Sequence, residues 1–135
     1  MAEQDEPEDL PVIEFVSPMP GFPKHRDFVL VQMDDAGVLY SLRSVIDPEL
    51  RFLVVPPAPF FPDYAPEVPD EDIELLGVSD PDQLLLLLVI TAGETAAGST
   101  ANQLAPIIID QSTRRALQVV LTGSDFPVRA GLVAA

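Results

Sequence analysis

Cysteine is absent from the 135-residue chain, so disulfides and thiolate chemistry are excluded. Tryptophan is absent too, and there is one histidine, His25, set between Lys24 and Arg26. One histidine with no cysteine gives no serine–histidine or cysteine–histidine arrangement for nucleophilic catalysis, and His25 reads as a surface residue. Basic residues are few: seven Lys and Arg stand against 22 Asp and Glu, a formal charge of −15. Such a charge repels phosphate backbones and argues against direct nucleic-acid binding. It fits either a basic protein partner or simple solubility. The longest strongly apolar run is Leu84 to Ile90, where a membrane-spanning helix needs about 20 residues. The N-terminus is acidic and shows no apolar signal region. These features lead us to expect a soluble, cytoplasmic protein without a membrane partner.

What is abundant is proline. Its 15 residues are about twice the usual share, in a chain that is 47% hydrophobic. Proline breaks helices and is excluded from central strand positions, so short strands joined by stiff turns are expected.

Met1 to Asp9 carries Glu3, Asp5, Glu6, Glu8 and Asp9, and residues 1–10 read as an acidic flexible tail. Residues 11–124 then read as one β domain, and residues 125–135 as a loosely held C-terminal tail. Strand patterns run over Val12–Phe15, Asp27–Met33, Val38–Ile46 and Leu50–Val55. In Val38–Ile46 the face with Val38, Tyr40, Leu42, Ser44 and Ile46 is the better candidate for burial. Pro18, Pro20, Gly21 and Pro23 make a rigid turn around an inward-packing Phe22. Asp34-Asp35-Ala36-Gly37 reads as the turn of a hairpin. Pro56 to Pro69 holds six prolines with Phe60, Phe61 and Tyr64, an ordered excursion across the end of a sheet.

Asp70–Gly77 predicts a short helix: acids open it and Gly77 suits its left-handed end. Ser79 suits the cap of a second, single-turn start. Leu84–Thr91 is apolar throughout and bounded by turn residues, which predicts a strand buried on both faces. Ala101–Asp110 and Ala116–Thr122 complete a hairpin-like pattern, with Pro106 marking an edge or a bulge. The fold class expected is mostly β: a small, single-domain antiparallel β-barrel-like fold with one short helix.

Chemistry is sparse. No glycine-rich phosphate loop and no calcium loop is present, and no catalytic, metal or cofactor site is expected. Two groups remain. Asp63 and Tyr64, with Glu71 and Glu74 on the helix, suit electrostatic docking of a basic partner. Thr100 and Asn102, in Ser99 to Pro106, either cap a turn or offer hydrogen bonds to a partner strand.

The ordered segments resemble the FliW family of flagellar assembly factors. They are Ile13-Glu14-Phe15, Pro20-Gly21-Phe22, Leu42 and Ser44 before Asp47-Pro48, Phe52-Leu53-Val54 with Pro57, and Phe61 to Tyr64. They continue with Ser99-Thr100-Ala101-Asn102, Ala105 to Ile109 including Pro106, Arg115, and Gln118 to Leu121. The resemblance implies a β-barrel-like fold, no enzyme activity and two protein partners. One is CsrA, a dimeric RNA-binding translational repressor, antagonised non-competitively. The other is flagellin, which occupies the protein and thereby couples flagellin translation to assembly. A monomer is expected when no partner is bound. The chain departs from the family in its acidic opening, where a strand is usual, and in Arg43, where glutamine is common; Phe126 stands for the usual C-terminal aromatic. Two other readings are a dedicated flagellin chaperone and a small-barrel enzyme using a carboxylate in a closed pocket.

Overall fold

The computed structural model describes residues 12–19, 21–78, 80–93 and 98–132. Pro20 and Ser79 lie outside the described residues, as does the acidic segment before Val12. Among the described residues nine strands form: β1 (Val12–Phe15), β2 (Asp27–Gln32), β3 (Tyr40–Ser44), β4 (Arg51–Val55), β5 (Leu84–Thr91), β6 (Thr100–Ala101), β7 (Ile107–Asp110), β8 (Arg115–Gln118) and β9 (Ala130–Gly131). One α-helix, α1 (Asp70–Leu76), and a single 3-10 turn (Pro81–Gln83) lie between β4 and β5.

Seven strands close into a barrel in the order β4-β3-β2-β1-β8-β7-β5, with β5 pairing back to β4. Six of the seven junctions are antiparallel and one, β1–β8, is parallel. The exception to the expected antiparallel pattern follows from counting. A closed circuit needs an even number of direction reversals, so seven strands cannot all alternate. Closure removes the exposed sheet edges that would otherwise recruit other chains.

Alternation along the strands fills the barrel. Ile13 and Phe15 of β1, Phe28 of β2, Leu42 of β3, Val54 of β4, Leu87 of β5, Ile107 and Ile109 of β7 and Ala116 of β8 form one buried cluster. Phe15 meets Phe28 edge-on with centroids 5.3 Å apart, and Phe22 meets Phe52 in the same way at 5.3 Å. Phe22 thus packs inward as expected, from a turn where Gly21 takes φ +90.

The leucine run is a strand buried on both faces, for a visible reason. Leu85, Leu87 and Val89 point into the barrel cluster. Leu84 and Leu86 pack outside it with Ile108, Leu117 and Leu76 of α1. Leu88 and Ile90 pack outside it with Val55, Phe60, Phe61 and Tyr64. Two outer layers, the helix and the proline-rich excursion, cover successive stretches of one strand.

Turns behave as their residues dictate. The Asp34 carboxylate oxygen accepts the N–H groups of Gly37, Val38 and Leu39 at 3.0–3.1 Å, closing the β2–β3 hairpin. Gly77 ends α1 at φ 77, and its N–H donates to Glu74 and Ile73. No side chain caps the start of the helix, whose first turn carries Asp70, Glu71 and Asp72 against the positive end of the dipole.

Several boundaries differ from the sequence reading. β3 covers only Tyr40–Ser44, and Ile46, expected inside, is 66% exposed in the turn that follows. The span Ala101–Asp110 divides into β6 and β7, because the turn after Asn102 interrupts it and Pro106 supplies no N–H. The segment 125–135, expected to be loosely held, is bonded back in its described part. β9 pairs with β6, Leu132 donates to the Ser99 carbonyl, and Gln103 donates to the Pro127 carbonyl.

Candidate functional site

The proline-rich excursion leaves β4 at Val55 and folds on two tight turns. Phe60 and Phe61 donate their N–H groups to the Pro57 carbonyl, and Tyr64 donates to Phe61. Prolines fix the backbone between these turns and lower the entropy lost on ordering. Phe60, Phe61 and Tyr64 are half-buried against Val55, Leu88 and Ala101. The two phenylalanines are therefore packing residues first. Their partial exposure leaves an open concavity lined by Phe60, Phe61, Pro62, Asp63, Tyr64, Gln103 and Phe126. A second depression adjoins it through Phe126 and continues past Ala65, Glu67 and Pro69 to Leu121–Ser124.

Tyr64 fixes the floor of this face. Its hydroxyl donates to the Gln103 carbonyl at 2.7 Å, and its ring packs edge-on against Phe126 at 4.9 Å. Burial pushes its hydroxyl up to about 12, well above the ordinary tyrosine value. A hydroxyl held this way is a structural donor, so Tyr64 offers a partner its ring edge rather than its oxygen.

The remaining sequence candidates fall around it unevenly. Asp63 is exposed at the rim of the concavity. Glu71 and Glu74 are exposed on α1, which Leu76 anchors by its complete burial. Asn102 is committed to its own turn, its side-chain oxygen accepting from Leu104 at 3.0 Å and Ala105 at 3.1 Å. Thr100 lies in β6 between Thr91 and Gly131, half-buried. Pro106 is buried at the entry to β7, and its carbonyl accepts the Val119 N–H. The structure thus brings Asp63 and Tyr64 together and joins them to the Asn102 turn through Gln103. Gln103 escaped the sequence reading because it acts through a backbone carbonyl, which any residue supplies.

Charge separates this face from the rest of the molecule. From Phe52 to Thr113 the chain carries ten acids and no Lys, Arg or His. Asp63, Glu67, Asp70, Glu71 and Glu74 all lie exposed along the excursion and the helix. Their fields add over a rigid surface and favour approach of a cationic one.

One acid stands apart. Asp110, at the end of β7, is only 1% exposed. Its Oδ1 accepts from the Ser112 N–H at 3.0 Å and from the Ser112 hydroxyl at 2.7 Å. The Ser112 hydroxyl, more than any other contact, holds its carboxyl below the usual value against the opposing effect of burial. It closes the β7–β8 hairpin and faces no cavity described above. His25 is likewise structural: it is half-buried, with Nδ1 2.8 Å from the Ser44 hydroxyl. Among the described residues no group of three His, Cys, Asp or Glu is placed to hold a metal ion. No described helix is long and apolar enough to cross a membrane.

Comparison with known proteins agrees with this architecture. Residues 2–132 match the family described as FliW protein. The flagellar assembly factor FliW of Syntrophomonas wolfei is 36% identical over 122 residues, covering 90% of this chain and 78% of that protein. Its counterpart in Bacillus subtilis is 33% identical over 118 residues, covering 87% of this chain and 82% of the relative. A crystal structure of the flagellar assembly factor FliW superposes with a TM-score of 0.85 at 27% identity, covering 100% of this chain and 90% of the other. On sequence and on fold, this chain belongs to the FliW family of flagellar assembly factors.

Proposed function

We propose that the chain is a cytoplasmic, non-enzymatic regulator that binds the translational repressor CsrA and is itself bound by flagellin. The observation that carries this reading is the acidic face on the excursion and α1, where six acids (Asp63, Glu67, Asp70, Glu71, Asp72 and Glu74) stand in a stretch without a base. Family membership supplies the setting of flagellar assembly. An RNA-binding protein presents a basic surface, and the acids of this face would steer and orient it. The same charge repels RNA, and the family resemblance implies that the protein docks beside the RNA surface of CsrA.

In this reading Asp63, Glu71 and Glu74 make the long-range contribution. The ring of Tyr64 and the neighbouring phenylalanines supply apolar contact at the centre. Flagellin, once accumulated, occupies the protein and returns CsrA to its messenger. The free protein is a monomer without a cofactor. A binding titration with cognate CsrA tests the claim: saturable binding supports it, and no interaction at tens of micromolar contradicts it. A dedicated flagellin chaperone is the second reading, favoured if flagellin binds strongly while CsrA–RNA complexes are unaffected.

A further inference from the structure

The outer wall of β2, β3 and β4 carries two buried polar atoms with no hydrogen-bond partner. Leu30, Leu42, Phe52 and Val54 pack into the barrel, so Val31, Ser41, Arg43, Arg51 and Leu53 face outward. Register sets Val31, Ser41 and Leu53 in one row across the wall and Val29, Arg43 and Arg51 in the next. Ser41 is 4% exposed, and its hydroxyl is unpartnered between two apolar neighbours. Arg43 is half-buried, and its Nε is likewise enclosed without a partner. Arg51, directly across from Arg43, is exposed and brings a second like charge, which weakens the ladder. Glu14 and Asp27, acids of the same wall, are exposed and pair with neither arginine. Buried polar atoms are normally hydrogen-bonded, and the acceptor that suits a hydroxyl and a guanidinium together is a carboxylate.

This strip adjoins the acidic excursion. Leu39, just before β3, and Val55 of β4 are the next outward positions along the two strands, and they pack in one cluster with Phe60 and Phe61. A strand advances about 3.4 Å per residue, so the Ser41 row lies about 7 Å from that cover and the Arg43 row about 14 Å. One partner burying about 800 Å² on this side reaches from the excursion across both rows.

We propose that the partner docked on the excursion extends onto this wall and places one of its carboxylates on Ser41 and Arg43, with Arg51 at the rim. The inference rests on the reading above, in which that partner is CsrA. The Ser41 hydroxyl and the Arg43 Nε–H donate to the carboxylate, and the half-buried stem of Arg43 swings outward to admit it. Val31 and Leu53 close around the contact and exclude water, which strengthens it. The acids of the excursion act at long range and set the speed of encounter. The carboxylate contact forms only on close approach and sets which basic surface stays bound. A surface without a matched acid leaves the two donors unmet and the two cations unpaired beneath it.

Calorimetric titration of the full-length protein with cognate CsrA tests this contact. Arg43→Gln and Ser41→Ala are each expected to weaken binding about tenfold. Arg43→Lys, which keeps the charge without the fork, weakens it less. On net charge alone, removing a base makes this acidic protein bind a basic partner more tightly, so weakening reports a local carboxylate. Arg114→Gln, in the exposed β7–β8 turn, is the charge control and shows no loss. Thermal midpoints of the free variants guard against misfolding, and Arg43→Gln is expected to be at least as stable as the parent, because an opposed like charge is gone. Equal affinity of the parent and Arg43→Gln, or an equal loss in Arg114→Gln, overturns this proposal alone. A parent protein that does not bind CsrA overturns the functional reading and this extension with it.

Discussion

The Tyr64 hydroxyl donates a 2.7 Å hydrogen bond to the carbonyl of Gln103, thirty-nine residues further along the chain. That bond ties the proline-rich excursion to the turn between β6 and β7, and Phe126 of the C-terminal segment packs on the same ring. Three segments far apart in sequence meet at one side chain. Tyr64→Phe removes the donor and leaves a carbonyl of a buried residue unsatisfied, at a cost of about 2 kcal/mol. Urea denaturation is expected to show a lower midpoint with an unchanged slope.

The same residue gives an alkaline signature. Its folded value, about 12, lies above the ordinary tyrosine value of 10.0, so its contribution is complete below pH 10 and disappears as pH rises toward 12. Stability followed by circular dichroism across that window falls in the parent protein. Tyr64→Phe lacks this part of the fall.

Asp110 gives the opposite dependence. Its folded value is lowered from 3.8, so its contribution is present above that pH and is lost as acid protonates the folded state. Asp110→Ala leaves the Ser112 donors without their acceptor and costs about 2 kcal/mol at neutral pH. The difference between parent and variant narrows below about pH 4 in acid titration.

Gly77 tests the seating of the helix. It takes φ 77, and a Cβ there would meet Arg115 Nη1 at 3.1 Å. Gly77→Ala therefore combines left-handed strain with crowding and loses about 1–2 kcal/mol, read as a lower thermal midpoint. Arg114, at φ 63 in the β7–β8 turn with an exposed side chain, is the converse case. Arg114→Gly is neutral or stabilising by up to about 1 kcal/mol.

Much of this fold was legible because period and turn chemistry agreed. Ile13 and Phe15 alternate with exposed neighbours, and Asp34 with Gly37 marks its hairpin without tertiary help. The leucine run was legible by its bounds, although its two outer covers could not be assigned from sequence. The parallel β1–β8 junction was not legible, since closure is a property of the whole ring. Nor was β9, where two small residues, Ala130 and Gly131, carry no strand propensity and are held by pairing to β6 alone. Of the candidate site, Asp63, Glu71 and Glu74 were visible as charge. The internal commitments of Tyr64 and Asn102 depend on backbone groups that have no sequence signature.

If the acids of α1 steer CsrA, Glu71→Lys with Glu74→Lys slows association and flattens its dependence on salt, with a smaller change in dissociation. Both side chains are exposed, and a lysine at Glu71 in the first turn of α1 costs about 1 kcal/mol or less, so circular dichroism checks that the fold is kept. Stopped-flow rates over a salt series read the effect. Unchanged rates remove these acids from the interface.

The most direct measurement is a gel-shift series with cognate CsrA and flagellin-leader RNA, adding this protein and then flagellin. The account predicts that the protein releases the RNA and that flagellin restores the complex. RNA that stays bound at every concentration of the protein contradicts it.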